Sequence, residues 1–273
     1  MATTFYKKIK EFRGLFTGEF AYIGPSFVDV DVTRRCNLRC PGCRYHSPYL
    51  NLPPHPGDQT ISDIPFNLFT KLCHDLKIMG TKSMTLIGEG EPFLHPHLLD
   101  FISLAKQSEF YLSVFTNGTL LDETNIQFLL QSRLDILKVG IWASSVDEYV
   151  QNHHGSNSDN FKRIVKGFKT LSDFKAEYKS ELPSVILHYP ITHYNYQQID
   201  AMIDLAFKVK CNVMSFHPFV NRRGQLSSFA LSPEEERAVT ISLSNARKRL
   251  DSLGIEHTVN EALIRYGMGE AGW

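Results

Sequence analysis

The chain has 273 residues, of which 42% are hydrophobic and 21% charged, and these are the proportions of a folded globular protein rather than a fibrous or disordered one. Its 29 basic and 29 acidic side chains give a formal net charge of zero, so no overall field would draw it to nucleic acid or an anionic membrane. No apolar run approaches the roughly 18 residues that span a bilayer, and the N-terminus lacks the pattern of a secretion signal. We therefore expect a cytoplasmic protein that binds neither membrane nor nucleic acid.

Strand signals recur along the chain after a predicted N-terminal helical segment, residues 1–25. Apolar and polar residues alternate from Val28 to Val32, as in a half-buried strand. Five later segments also read as strands, and they are residues 83–87, 111–115, 136–142, 185–189 and 213–216.

Helical spacing of apolar residues follows each predicted strand. The six predicted helices are residues 63–79, 98–106, 123–131, 160–174, 196–209 and a long helix that begins near Ser232. The segment Ser232-Pro233-Glu234-Glu235 is a capping box with proline at the first helical position, and Gly254 is the predicted end of that helix.

This alternation predicts an α/β fold in which parallel strands are joined by right-handed crossovers. Six units favour a partial (β/α)6 barrel, open on one side, over a closed eightfold barrel. We expect the barrel to span residues 26–260, with a further short strand within residues 255–259. Residues 261–273 are then a C-terminal tail, which either ends a compact core or begins a truncated extension.

Unusual residues follow the predicted strands at their carboxyl ends. A cysteine cluster follows the first strand, Gly88-Glu89-Gly90-Glu91-Pro92 the second, Thr116-Asn117-Gly118 the third, Ala143-Ser144-Ser145 the fourth and His217-Pro218 the sixth. Because parallel α/β barrels assemble their sites at this face, we expect these residues to lie together.

Three of the five cysteines, Cys36, Cys40 and Cys43, fall within eight residues. One short loop can therefore bring three thiolates to one centre, which is one ligand fewer than an ordinary iron-sulfur cluster or closed zinc site requires. Cys73 and Cys211 are expected to be small buried hydrophobic residues. Five cysteines are too few, and odd in number, for a secreted disulfide framework.

Plainer interpretations exist for each of these features. The three cysteines and His46 could form a structural zinc knuckle. The glycine-rich turn and Thr116-Asn117-Gly118 could each be an ordinary turn. His95 and His97 fit surface or capping positions, and Trp142 and Phe216 fit the core.

Taken together, CNLRCPGC, GEGEP and TNGTLL after three successive strands resemble the radical S-adenosylmethionine (SAM) superfamily, over about residues 26–220. The resemblance implies a radical SAM core in which Cys36, Cys40 and Cys43 hold a 4Fe-4S cluster whose open iron chelates SAM. It also implies that Gly90, Glu91 and Pro92 bind the methionine amino group.

The resemblance implies further cofactor contacts and shows where this chain departs from the family pattern. Thr116 and Asn117 match the third motif and are expected to contact the methionine moiety, and His217 lies near the expected adenine position. Glu89 replaces the usual first glycine of the second motif, and Gly42 replaces an aromatic residue before the third cysteine. The usual carboxylate-binding residues are not matched, so Ser144 or His154 is expected to substitute.

The function implied is that of a radical SAM enzyme that abstracts a hydrogen atom from an unidentified peptide or small molecule. A reducing partner such as flavodoxin or ferredoxin is expected to supply the electron. The alternative is an iron-sulfur or zinc binding module without turnover, used for electron transfer or scaffolding. The match is closer to family members that carry a cysteine-rich SPASM or twitch extension, but no cysteine follows Cys211 in this sequence.

Overall fold

Seven parallel strands form one sheet, and their order in the sheet is their order in the chain. The computed structural model describes residues 9, 12–14, 16–19, 21–50, 63–219, 224 and 226–267. The strands are β1 (Phe27–Asp31), β2 (Ser83–Ile87), β3 (Tyr111–Thr116), β4 (Ile136–Gly140), β5 (Ser184–Ile191), β6 (Val213–Pro218) and β7 (Glu256–His257).

At least one helix lies between each pair of successive strands, as a parallel sheet requires. The helices are α1 (Phe66–Met79), α2 (Leu98–Gln107), α3 (Glu123–Gln131), α4 (Val146–Asn152), α5 (Ser158–Glu177), α6 (Ile199–Lys208), α7 (Pro233–Leu253) and α8 (Val259–Gly267). In the predicted N-terminal helical segment, residues 9, 12–14, 16 and 17 are helical, residues 21–25 are not, and most of the others lie outside the described residues.

The predicted α/β partial barrel of parallel strands is confirmed, and β1 and β7 are its two edges. The sheet has seven strands rather than the six main strands expected. The seventh, β7, pairs with β6 and lies within residues 255–259, where a further short strand was predicted. The capping box is also confirmed. Ser232 accepts a hydrogen bond from the Glu235 N–H, Glu235 reciprocates, and Gly254 ends α7 at a φ of 69°.

One local prediction was wrong because a tertiary contact outweighs a local pattern. The first helix begins at Phe66 rather than at residue 63, since Asp63 forms a bridge with Thr33 and accepts a hydrogen bond from the Thr33 hydroxyl at 2.5 Å. Of the two positions expected for His95, the structure shows the capping one: His95 ends the 3-10 turn Pro92–Leu94, and it is buried, with its Nε2 atom 3.1 Å from the Ile64 carbonyl oxygen. In addition, the short helix α4 was not predicted.

The two faces of the sheet differ in burial. Residues such as Leu86, Val114 and Leu137 are fully buried in the core between the sheet and the helices. The alternate residues face the barrel lumen and are only partly buried, because the sheet does not close around them. The lumen therefore opens towards the carboxyl ends of the strands, where the site residues lie.

No helix in the described ranges is long and apolar enough to cross a membrane.

Candidate functional site

One cavity of about 380 Å³ lies at the carboxyl ends of the strands. It gathers most of the residues singled out in the sequence, from several different segments of the chain. Of the eleven predicted metal- and cofactor-binding residues, eight line it, and they are Cys36, Cys40, Cys43, Gly90, Glu91, Thr116, Asn117 and His217.

The cysteine loop is held by its own backbone. The Cys43 N–H donates to the Cys40 carbonyl at 2.9 Å, and the N–H groups of Tyr45 and His46 both lie 3.4 Å from the Cys43 sulfur. All three thiols are free, and burial raises the pKa of Cys36 and Cys40. Metal binding would displace the thiol protons, and donors aimed at sulfur stabilise a bound thiolate.

The zinc-knuckle interpretation with His46 finds no support in the geometry. Among the described residues, no group of three or more His, Cys, Asp or Glu side chains is placed to hold a single metal ion. A tetrahedral zinc site needs its ligands within about 2.3 Å of one ion. A multi-iron cluster accepts thiolates that are farther apart, since each binds a different iron.

Two glycines let the turn after β2 lie against the cysteine loop. A Cβ atom on Gly90 would lie 2.0 Å from the Arg35 carbonyl oxygen, and one on Gly88 would lie 2.7 Å from that of Thr33. Because glycine has no Cβ atom, the two backbone segments can approach each other. The Gly90 N–H donates to the Thr33 carbonyl at 3.0 Å and the Glu91 N–H to the Arg35 carbonyl at 2.7 Å. The glycines are thus required by close backbone approach.

Glu91 is almost fully buried and joins the ends of β2 and β3. Its carboxylate accepts hydrogen bonds from the Thr116 hydroxyl and the Asn117 N–H, both at 2.6 Å, and from the Phe93 N–H at 3.1 Å. Burial raises the pKa of Glu91, and the three hydrogen bonds oppose that shift. The sequence predicted a ligand-binding carboxylate here, but not these three hydrogen bonds.

Asn117 extends this network to the cysteine loop. Its amide nitrogen donates to Asn37 Oδ1 at 2.9 Å, and the Asn37 amide donates to the Thr119 hydroxyl at 2.8 Å. Thr119 in turn donates to Asn117 Oδ1 from both its N–H and its hydroxyl. Since Asn37 follows Cys36, the end of β3 helps to fix the first cysteine.

Three predicted cofactor-binding residues lie outside the cavity lining. Pro92 is buried at the start of a single 3-10 turn. Both the N–H and the hydroxyl of Ser144 donate to the Glu148 carboxylate, at 2.8 and 2.9 Å. The His154 carbonyl accepts a hydrogen bond from the Arg39 N–H at 2.7 Å, and this bond stabilises the cysteine loop next to Cys40.

Several residues that line the cavity were not predicted from the sequence. Trp142 was expected in the core, but its ring lies beside Gly42, where a Cβ atom would approach it to 2.5 Å and Phe219 to 3.2 Å. His153 is buried, its ring stacks 4.1 Å from that of Tyr149, and burial lowers its pKa to about 4. The signal for Trp142 was available, since it closely follows a strand at the functional face.

A model of one protein family, described as the radical SAM superfamily, matches residues 30–206. Two curated relatives are similar in sequence. A tungsten-containing aldehyde ferredoxin oxidoreductase cofactor-modifying protein of Pyrococcus furiosus is 26% identical over 63% of this chain and 46% of its own. The antilisterial bacteriocin subtilosin biosynthesis protein AlbA of Bacillus subtilis is 28% identical over 55% of this chain and 31% of its own. The chain thus spans less than half the length of these relatives.

Solved structures share the fold at low identity. SuiB of Streptococcus suis, bound to S-adenosylmethionine, has a TM-score of 0.67 at 14% identity, covering 86% of this chain and 50% of SuiB. SuiB bound to its precursor peptide SuiA has a TM-score of 0.70 at 14% identity, covering 93% and 54%.

Proposed function

Since this chain belongs to the radical SAM superfamily, we propose that it cleaves SAM reductively and abstracts a hydrogen atom from its substrate. Its cofactors are those of the family, a 4Fe-4S cluster and SAM. When bound, the reduced cluster supplies the electron that breaks a carbon-sulfur bond of SAM and releases a 5′-deoxyadenosyl radical.

The arrangement of three free thiols around one cavity carries this proposal. Cys36, Cys40 and Cys43 would each hold one iron and leave the fourth open for SAM. The N–H groups of Tyr45 and His46 point at the Cys43 sulfur, where they would favour the thiolate and influence the reduction potential of a bound cluster.

The other cavity residues suit the two ends of SAM. We assign Gly90, Glu91, Thr116 and Asn117 to the methionine end, because a buried carboxylate in the cavity lining suits an ammonium group. Pro92 fixes the turn that carries them. Ser144 and His154 are assigned no direct contact, since the Ser144 N–H and hydroxyl both donate to Glu148 and His154 lines a different cavity, with Pro41 and Tyr49.

The aromatic residues beside Gly42 suit the adenine end. Trp142 and Phe219 occupy the space that a side chain at position 42 would fill. We propose that they provide the apolar surface that the family's aromatic residue before the third cysteine would otherwise supply. His217 also lines the cavity, at the end of β6.

We propose a peptide as the substrate and a flavodoxin or ferredoxin as the electron donor. The peptide is supported by the names of two relatives, a bacteriocin biosynthesis protein and SuiB, which binds a precursor peptide. A module without turnover is not retained, because the family is one of enzymes.

The test begins with anaerobic reconstitution of the wild type and of Cys36→Ala, Cys40→Ala and Cys43→Ala. We expect loss of the cluster absorbance, of bound iron and sulfide, and of 5′-deoxyadenosine release on reduction in each variant. Cys73→Ala and Cys211→Ala are matched controls, since both cysteines are buried away from the cavity and should keep full iron content. Full iron content in Cys40→Ala would defeat the ligand assignment.

A second measurement separates the enzyme from a carrier. We expect the reconstituted wild type to release 5′-deoxyadenosine when reduced with dithionite in the presence of SAM. A stable cluster that releases none would refute the proposed reaction, and stoichiometric zinc without sulfide would refute the cluster.

A further inference from the structure

The inner face of the barrel carries charged and polar side chains. The register pairs Phe115 with Lys138, Gly140 with His188, and His188 with Ser215. Since side chains alternate along a strand, these residues and His217 project from the same face, and Phe115, His188 and His217 line the cavity. Closed barrels fill this space with branched apolar residues. A polar interior instead suits a bound ligand.

The charges on this face are separated. Asp29 and Asp31 on β1 are exposed and lie on the lumen face of the sheet. Asp29 pairs with Thr85 of β2, which pairs with Ser113 of β3, so these three residues share that face. The opposite side carries the positive charge of Lys138 from β4, joined by Arg265 from α8, and the rings of His188 from β5 and His217 from β6. Burial lowers the pKa of both histidines, that of His217 to about 4, so both rings are neutral at pH 7. We call these four residues the basic wall.

Lys138 is a half-buried ammonium group without a close counterion. Its Nζ atom lies 4.7 Å from the centroid of the Phe115 ring, and within the described part of the chain it forms no ion pair. Burial lowers the pKa of Lys138, and the more distant charge of Asp29 opposes that shift. A ligand anion would supply the missing partner.

His188 lies between Phe115 and His217, with ring centroids 5.1 and 4.3 Å away. Its Nδ1 atom is buried and has no hydrogen-bond partner among the described residues. A buried polar atom left in this way costs free energy, so it marks a position where a ligand atom would be stabilised.

His217 is orientated by its neighbours. Arg265 approaches its Nδ1 atom at 3.4 Å, and a guanidinium can only donate, so Nδ1 must accept. The proton is then on Nε2, which donates to the Ser215 hydroxyl at 2.8 Å. One nitrogen of the exposed Arg265 guanidinium therefore lies next to a ring that lines the cavity. Within the described ranges, Arg265 likewise forms no ion pair with a carboxylate.

We propose that the basic wall, Lys138, His188, His217 and Arg265, binds a carboxylate group of the substrate. The inference rests on the proposed function only in taking the bound molecule to be the substrate of that reaction. Lys138 and Arg265 supply the positive charge, and His188 supplies a free hydrogen-bonding atom.

The opposite wall orientates the ligand. Asp29, Asp31 and Glu89 together carry one more charge than Arg34 and Arg44 beside them, so the β1 side of the lumen is negative on balance and a carboxylate is favoured towards β4–β6. The shared chemistry is therefore a carboxylate, from a peptide or from a small acid.

The test uses the reconstituted holoenzyme with SAM, labelled with ¹³C at histidine Cε1 and assigned with His188→Gln and His217→Gln. We expect glutarate to shift the His188 and His217 resonances saturably, and neutral glutaramide to leave them in place. Lys138→Met should weaken glutarate binding by about tenfold or more, the usual loss for one charge-assisted contact. Lys166→Met, which removes the same charge from the exposed side of α5, should bind glutarate as the wild type does.

Arg265→Gln is the second variant, because its exposed side chain can be shortened without risk to folding even if Lys138→Met fails to fold. We expect it also to weaken glutarate binding. Equal shifts with glutaramide, tighter binding of inorganic phosphate, or wild-type affinity in Arg265→Gln would each overturn the assignment.

Two further arms identify the source of the carboxylate. Acetyl-Ala-Glu-Ala-amide and its Gln counterpart are titrated in the same way. Selective binding of the Glu peptide supports a peptide side chain, and binding of glutarate alone supports a small acid. Release of 5′-deoxyadenosine from the wild type is measured separately. Its absence would refute the proposed function, whereas the anion titration would still decide whether the basic wall binds a carboxylate.

Discussion

Glu91 shows how one buried carboxylate can organise a site. It accepts three hydrogen bonds from residues at the ends of two strands, and one of the donors, Asn117, also contacts the cysteine loop through Asn37. A neutral group at this position would leave buried donors without an acceptor, which costs more than the loss of one exposed hydrogen bond.

We therefore expect Glu91→Gln to destabilise the chain before cluster loading by roughly 1.5–3 kcal/mol. The glutamine NH2 group replaces one carboxylate oxygen, so at least one charge-assisted hydrogen bond is lost and two N–H donors face each other. Urea unfolding under reducing conditions measures the change. Glu89→Gln is the control in the same turn, because Glu89 is a partly exposed partner of Arg34 at 3.3 Å and such pairs contribute at most about 1 kcal/mol. Equal losses in the two variants would show that Glu91 does not organise the loops.

Gly42 and Trp142 form a second coupled pair. A Cβ atom at position 42 would approach the indole to 2.5 Å, so Gly42→Ala forces the ring to move. We expect it to weaken SAM binding to the reconstituted protein by about tenfold, in line with an overpacking cost of about 1–3 kcal/mol.

A double-mutant cycle checks this coupling. With Trp142→Ala as the background, adding Gly42→Ala should cost little further affinity, because the indole is no longer in the way. SAM binding is measured by calorimetry for the wild type, the two single variants and the double variant. Additive losses would contradict the contact.

Helix α5 carries a glycine where helix propensity alone would favour alanine. Gly167 is buried, and its Cβ would lie 2.8 Å from the Leu121 carbonyl oxygen and 3.2 Å from the Leu121 Cβ. The missing side chain lets α5 pack closely on the segment that follows the Thr116-Asn117-Gly118 turn. Gly167 thus helps to position the segment around Leu121, which follows the cavity residues Thr116 and Asn117.

Gly167→Ala should accordingly destabilise the chain by about 1–3 kcal/mol, the range for overpacking, although the same change in an exposed helix stabilises by up to about 1 kcal/mol. Thermal unfolding followed by circular dichroism at 222 nm is the measurement. Thr170→Ala in the same helix is the matched propensity control, because position 170 is only partly buried and alanine there should not lower stability through overpacking. A gain in stability from Gly167→Ala would show that the helix can move away from Leu121.

At the scale of the whole molecule, neutral buried histidines make stability depend on pH. Burial lowers the pKa of His153 to about 4, against an ordinary value of 6.5, and a hydrogen bond with the Tyr149 carbonyl opposes that shift. The unfolded chain therefore binds the proton more readily. The contribution of neutral His153 to the free energy of unfolding is fully present above pH 6.5 and is lost as the pH falls towards 4.

We expect His153→Phe, which keeps an aromatic ring against Tyr149, to reduce this loss. Between pH 6.5 and 4 the slope of unfolding free energy against pH should fall by up to about 1.4 kcal/mol per pH unit, the value for one proton. Urea unfolding of the chain before cluster loading, at several pH values, measures the slope, and the two slopes should agree above pH 6.5. Parallel curves over the whole range would refute the assignment of a neutral folded-state His153.

Much of the fold could be predicted because its signals are local. The alternation from Val28 to Val32, the capping box at Ser232 and the stop at Gly254 each depend on residues a few positions apart. The short helix α4 was missed, since its seven residues present too few turns for a clear period. The predicted start at residue 63 failed because Asp63 forms its bridge with a residue thirty positions away.

The sequence by itself determined the family and the order of the strands, and it predicted the face that carries the candidate site, because cysteine spacing and strand-end turns are properties of short segments. Only the tertiary structure decided that Trp142 fills the space beside Gly42, that Glu91 is bonded to Asn117, and that Lys138, His188 and His217 share one wall. These contacts join residues far apart in the chain. Sheet register and helix packing set them, and neither can be read from the neighbours of any one residue.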